Sequence, residues 1–103
     1  MAEAYRPYSQ GRYYKFEITS NGSALTLRSS DIAGAAISGT RLKFTAGFHA
    51  MDAVYDINSV TGGTAGAVAR AIYIYADGIQ AINLPGKDQF DKATIYVFGK
   101  FEV

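Results

Sequence analysis

The sequence predicts an all-β protein, an antiparallel β-sandwich or small barrel of six to seven strands with an extended N-terminal arm. Three observations predict it. Segments rich in Ile, Val, Tyr and Phe recur at spacings of about ten residues. Turn-forming pairs punctuate them: Asn21-Gly22, Asp77-Gly78 and Pro85-Gly86. Within several segments apolar and polar residues alternate at the two-residue period of a half-buried strand. The expected division is an arm over residues 1–11 and a single β domain over residues 12–103.

The arm, MAEAYRPYSQG, holds few residues that could build a core. Tyr5 and Tyr8 flank Pro7, which favours an extended backbone, so the segment suits lying across a neighbouring surface. YYKFEITSNGSALTLRS then reads as a hairpin. If Asn21-Gly22 forms a two-residue type I′ turn, opposed residues sum to 43, so Phe16 faces Leu27, Ile18 faces Leu25 and Glu17 faces Thr26. Lys15 would face Arg28, a like-charge pair that Glu17 could relieve diagonally. Asn21-Gly22-Ser23 also matches a glycosylation triplet, but the turn is the preferred reading.

DIAGAAISGT, residues 31–40, fits a loop or a short edge strand. RLKFTAGFH alternates, with Leu42, Phe44, Ala46 and Phe48 on one face and Arg41, Lys43, Thr45 and His49 on the other. HAMDAVYDIN carries both helical and strand spacings and is read as a turn followed by a short strand. SVTGGTAG is a loop by composition. The run AVARAIYIY predicts a strand apolar on both faces, with Ile72 and Ile74 on one side and Tyr73 and Tyr75 on the other. A two-residue Asp77-Gly78 turn would place Tyr73 opposite Ile82, Tyr75 opposite Gln80 and Ile74 opposite Ala81. KDQFDKA reads as a polar connector with room for one helical turn. The terminal ATIYVFGKFEV places Ile95, Val97 and Phe101 on one side and Tyr96 and Phe98 on the other, with Gly99 marking a bulge.

Composition narrows the function. The chain has 103 residues, enough for one core and too few for two. Ten Lys and Arg against nine Asp and Glu give a net charge of +1, which argues against nucleic acid or an anionic membrane as the main partner. The absence of cysteine excludes disulfides and thiolate metal sites. MAEAYRPYSQGRYY has no signal-peptide-like apolar run, so the chain is expected to be made in the cytoplasm without an export signal.

Residue patterns that could carry chemistry are sparse. His49 is the one histidine, and with Asp52 and Ser59 or Thr61 it could be drawn as a nucleophilic triad, but no specialised turn or oxyanion hole accompanies it. Asp52, Asp56 and Asn58 are hard oxygen ligands, yet Val54 fills the middle slot of a calcium loop and no Glu follows. Solvated loop carboxylates are the better reading. TGGTAG lacks the Lys of a P-loop and precedes a strand, so it matches no phosphate-binding fingerprint. Tyr13, Lys15 and Arg28 share an outward face that could stack single-stranded bases, although Glu17 lies among them. No enzyme activity, cofactor or metal is expected.

Two strands that are apolar on both faces are hard to cover from one core, so their outer aromatics should meet a loop, an arm or another chain. The residues expected at that interface are Tyr5, Tyr8, Tyr73, Tyr75, Tyr96 and Phe98. Tyrosine suits an interface because it offers a large, stiff contact area with a water-tolerant tip. In general composition (small, cysteine-free, low in charge, rich in Ala, Gly and Thr) the chain resembles minor structural or decoration proteins of bacterial virus particles. That resemblance implies incorporation in a virion. The expected function is therefore non-enzymatic assembly, as a homo-oligomer or docked on a larger protein lattice. The alternative is a carbohydrate-binding module that uses its tyrosines as a platform.

Overall fold

The computed structural model describes residues 8–59 and 71–103. It is all-β, with two antiparallel sheets of four strands each. The described strands are β1 (Arg12–Ser20), β2 (Leu25–Ser30), β3 (Ala36–Ser38), β4 (Arg41–Lys43), β5 (Phe48–Ser59), β6 (Ile72–Ile74), β7 (Gln80–Asn83) and β8 (Lys92–Phe101). The first sheet has the order β2-β1-β8-β5 and the second β3-β4-β7-β6. The expectation of six to seven strands is thus corrected to eight, and that of a small barrel to two separate sheets. The extra count comes from three-residue strands too short to announce themselves in sequence. No helix occurs among the described residues, so none is long and apolar enough to cross a membrane.

The core lies between the sheets. The first sheet contributes Tyr14, Phe16 and Ile18 from β1, Ala93, Ile95 and Val97 from β8, and Phe48, Ala50 and Ala53 from β5. The second contributes Leu42 and Ile82, and the connectors add Ile32, Phe44, Leu84 and Phe90. Phe48 sits at the centre of an aromatic cluster, with ring centroids 5.3 Å from Tyr14, 5.0 Å from Phe44 and 5.0 Å from Phe101. Gly99 makes room for it. A Cβ there would collide with the Phe48 ring and lie 2.6 Å from the His49 carbonyl oxygen. Tyr55 ties the sheets together by donating its hydroxyl hydrogen to the Asn83 carbonyl at 2.8 Å.

Both expected hairpins form, each in a different register from that expected. In the first, Ile18 pairs with Leu27 and Ser20 with Leu25. Gly22 takes a positive φ of 88°, and no described non-glycine residue has a positive φ. A type I′ turn needs two such residues, so the turn centres on Gly22-Ser23, with glycine first as a type II′ pattern demands. The Asn21 side chain braces it by accepting from the Ser23 and Ala24 amides at 2.9 and 2.8 Å. The two-residue shift keeps each side chain on its expected face. A further irregularity opposite Glu17 and Ile18 leaves Arg28 unpaired between Leu27 and Ser29, so Arg28 does not face Lys15. Glu17 does relieve Lys15, with the two charges 3.6 Å apart.

The second hairpin shifts by one residue, which has larger consequences. Ile72 pairs with Ile82, Tyr73 with Ala81 and Ile74 with Gln80. Gly78 alone takes positive φ, and its amide bonds the Tyr75 carbonyl at 2.8 Å, while the Tyr75 amide bonds the Ile79 carbonyl at 2.9 Å. The loop therefore has three residues, a type I turn followed by a left-handed glycine. Because side chains alternate across a strand, this register turns Ile72 and Ile74 to the face of buried Ile82. Tyr73 turns to the outer face, over Ala81. The expected pairings of Tyr73 with Ile82 and Ile74 with Ala81 are overturned.

Three further expectations are corrected. The alternating run 41–49 is not one strand: it breaks at a Thr45–Phe48 turn containing Gly47 (φ 85°), where the chain crosses between sheets. Residues 48–59 form one continuous strand with register irregularities at Met51 and near Asn58 rather than a turn and a short strand. The first one switches the inward set from Phe48 and Ala50 to Ala53, Tyr55 and Ile57, which explains the mixed period of HAMDAVYDIN. The connector before β8 forms a turn in which the Gln89 amide bonds the Gly86 carbonyl at 2.9 Å, with no helical turn, and it buries Phe90. The 31–40 segment does supply an edge strand, β3. The bulge expected at Gly99 lies directly across the ladder on β5.

Candidate functional site

The five expected interface residues that are described lie at three places on the molecule. Tyr5 lies outside the described residues, as does the TGGTAG loop. Tyr8 pairs with Glu102 in an isolated bridge, and Ser9 exchanges hydrogen bonds with Phe101. The Tyr8 ring stands edge-on to His49 at 5.0 Å and under the Lys100 ammonium at 4.4 Å. Tyr96 and Phe98 lie on the outer face of the first sheet, and Tyr73 and Tyr75 on that of the second.

On the second sheet cations of the same chain lie against the tyrosine rings, while Tyr73 stays 42% exposed. The Arg41 guanidinium lies 3.9 Å from the Tyr73 ring centroid, and the Lys43 ammonium 4.4 Å from that of Tyr75. The two rings meet edge-on at 4.8 Å. Beneath this layer Ala81 is fully buried. Part of the cover expected from a loop, arm or other chain is here supplied by two β4 cations. Lys43 also bonds Asp77 at 3.1 Å. The Asp77 carboxyl is held below its usual 3.8, first by the hydrogen bond from the Ile79 amide and then by that from Lys43.

The outer face of the first sheet is different. Across its central rows Tyr13 lies beside Phe98 and Phe98 beside Asp52, while Lys15 lies beside Tyr96 and Tyr96 beside Val54. The Tyr13 and Phe98 rings meet edge-on at 5.0 Å. Gly11 lets Phe98 and Met51 close over the backbone: a Cβ there would be 2.9 Å from the Phe98 ring and 3.5 Å from the Met51 methyl. Tyr13 is 52% exposed, Met51 46%, Val54 40% and Tyr96 36%. These residues, with half-buried Phe98, make a continuous apolar band across three strands. It is rimmed by Lys15, Glu17, Asp52 and Asp56.

Sequence reasoning found Tyr96 and Phe98 but missed Met51 and Val54 as members of this band. The signal that could have revealed them is the broken alternation of HAMDAV, which an extra residue at Met51 explains. Tyr13 was placed on this face, though in the setting of a base-stacking platform.

The remaining candidates are dispersed. His49 directs its Nε2 to Glu102 at 3.1 Å rather than to Asp52. Thr61 lies outside the described residues. Asp52 and Asp56 are exposed on the extended strand β5, not in a loop, where four residues span about 13 Å. No three His, Cys, Asp or Glu side chains converge among the described residues. Comparison of the chain with family models, with curated proteins and with solved structures finds no match.

Proposed function

We propose that this protein is a non-enzymatic assembly protein that docks through the outer face of its first sheet, as a homo-oligomer or on a larger protein lattice. A minor structural or decoration protein of a bacterial virus particle is one instance of that role. The observation that carries this reading is the exposed band of Tyr13, Met51, Val54, Tyr96 and Phe98. Aromatic residues and methionine are enriched at protein interfaces, and a polar rim around an apolar centre is the usual anatomy of one.

The carbohydrate platform is the second reading. Tyr13 and Tyr96 could stack sugar rings from the same face. Tyr73 and Tyr75 support it less, because Arg41 and Lys43 occupy ring faces that a sugar would need. Light scattering and a glycan panel separate the two. A mass that is a multiple of 11.1 kDa supports assembly. A monodisperse monomer that binds glycans and loses them on Tyr96→Ser supports the platform and contradicts assembly.

A further inference from the structure

We propose that a hollow at the hairpin end of the first sheet, away from Tyr13 and Phe98, is a binding site for a small carboxylate. The proposal goes beyond the docking reading and does not depend on it. The hollow measures about 440 Å³ and is lined by Glu17, Thr19, Arg28, Lys92 and Thr94. Strand alternation builds it. Ala93 and Ile95 are buried in the core, so Lys92 and Thr94 take the outer face of β8, beside Thr19 and Glu17 of β1. Arg28 joins them from β2, where the irregularity opposite Glu17 and Ile18 leaves it out of the ladder.

What marks the hollow as a site is unspent hydrogen-bonding capacity. Thr94 is only 8% exposed, yet its hydroxyl has no hydrogen-bond partner among the described residues. A buried polar group left unmatched is costly, and native structures rarely keep one without a reason. Arg41 Nε is the one sealed side-chain polar atom without a partner among the described residues, so the Thr94 hydroxyl is open to the hollow. Thr19, Arg28 and Lys92 likewise make no side-chain hydrogen bond or ion pair among the described residues. Glu17 is the exception. Lys15 lies 3.6 Å from its carboxylate, which also accepts from the Ser29 hydroxyl at 3.1 Å.

The free groups decide the ligand. Two cations that only donate and two hydroxyls that can donate call for an acceptor carrying negative charge. The charge around the hollow sets how much. Lys15, Arg28 and Lys92 stand against Glu17 and against Asp56, which lies across the ladder from Thr94. One positive charge is left over, which matches a monoanion and disfavours a dianion such as phosphate. A carboxylate has that charge, and its two oxygens can be shared between the Arg28 guanidinium and the Thr94 hydroxyl. Arg28 and Lys92 are exposed, so solvent screens both and the affinity is about millimolar.

The test is a titration of the full chain with sodium acetate, read residue by residue by two-dimensional NMR at an ionic strength held constant with sodium chloride. Saturable shifts are expected at the amides of Thr19, Arg28, Lys92 and Thr94, and none at Tyr73 or Ala81 on the second sheet. Thr94→Val keeps the branched shape and removes only the hydroxyl. It should weaken acetate at least about fivefold without lowering Tm, because no intramolecular hydrogen bond is lost. Thr94→Ser should retain binding. Arg28→Gln should weaken it about tenfold, whereas Lys100→Gln, a cation elsewhere on β8, should change nothing. The same spectra show whether each variant folds, and if Thr94→Val does not, Lys92→Gln replaces it with the same expected loss. No saturation up to about 100 mM acetate overturns the site. Thr94→Val or Arg28→Gln binding acetate like the wild type also overturns it, since the shifts would then be a general salt effect. Inorganic phosphate, at a pH where it is a dianion, binding more tightly than acetate overturns the carboxylate assignment.

Discussion

The guanidinium of Arg41 lies 3.9 Å from the ring centroid of Tyr73, and through that contact one outer face of the molecule is partly covered by its own side chains. The Arg41 Nε is buried without a hydrogen-bond partner among the described residues, and the residue acts there as a flat lid on the ring. Arg41→Ala should therefore destabilise the fold by about 1 kcal/mol through lost stacking and packing. It should also expose Ala81 and raise binding of a hydrophobic dye. Urea unfolding with and without the substitution measures the first effect; an unchanged midpoint would show that the lid contributes nothing.

Gly99 faces the core where Phe48 crosses the strand. Gly99→Ala forces its methyl against that ring and against the His49 backbone, and backbone cannot swing aside as a flexible side chain can. A loss of about 3 kcal/mol is expected, at the upper end of ordinary overpacking. Thermal unfolding should show a clear fall in Tm, whereas Gly39→Ala, with nothing within 4 Å but a φ of 61°, should cost less.

Tyr55→Phe removes the hydroxyl that bonds the Asn83 carbonyl across the sandwich at 2.8 Å. The ring remains, so packing is kept and the change should cost at least one hydrogen bond, about 1 kcal/mol. The check is the denaturant midpoint at unchanged slope.

The depressed Asp77 carboxyl makes the second hairpin acid-sensitive. Its folded pKa lies below the unfolded 3.8, so its contribution is complete above about pH 5, shrinks as the pH falls through 3.8, and is gone below the folded value. Asp77→Asn should flatten that part of the stability–pH curve, keeping the side-chain oxygen for the Ile79 amide while removing the charge that Lys43 meets. A curve of unchanged steepness between pH 5 and about 2.5 would contradict the assignment.

Much of this fold was legible in the sequence because turn chemistry and apolar period agree. Asn21-Gly22 and Asp77-Gly78 did mark hairpins, and the inner set Phe16, Ile18, Ile95 and Val97 is buried as their alternation implied. What the dipeptides did not carry is loop length. Asn21 and Asp77 use their side chains to accept backbone amides instead of adopting positive φ, and that shifts each register. A shift of two preserved the faces of the first hairpin, whereas a shift of one exchanged the partners of the second. β5 was obscured for a different reason. An extra residue at Met51 breaks the period that identifies a strand, and it also hid Met51 and Val54 from the outer band. Phe90 was lost among the charges of KDQFDKA, since a single apolar residue in a connector has no period to betray it. The aromatic excess poses a covering problem, and the partial cover that Arg41 and Lys43 provide depends on strand neighbours no local pattern specifies.

The central claim is that the outer face of the first sheet, and not that of the second, is the docking surface. Hydroxyl-radical footprinting of the full chain at low and high concentration, read residue by residue by mass spectrometry, tests it most directly. The account predicts that Tyr13, Met51 and Tyr96 lose reactivity as concentration rises while Tyr73 does not. Protection of Tyr73 with Tyr13, Met51 and Tyr96 unchanged would contradict it.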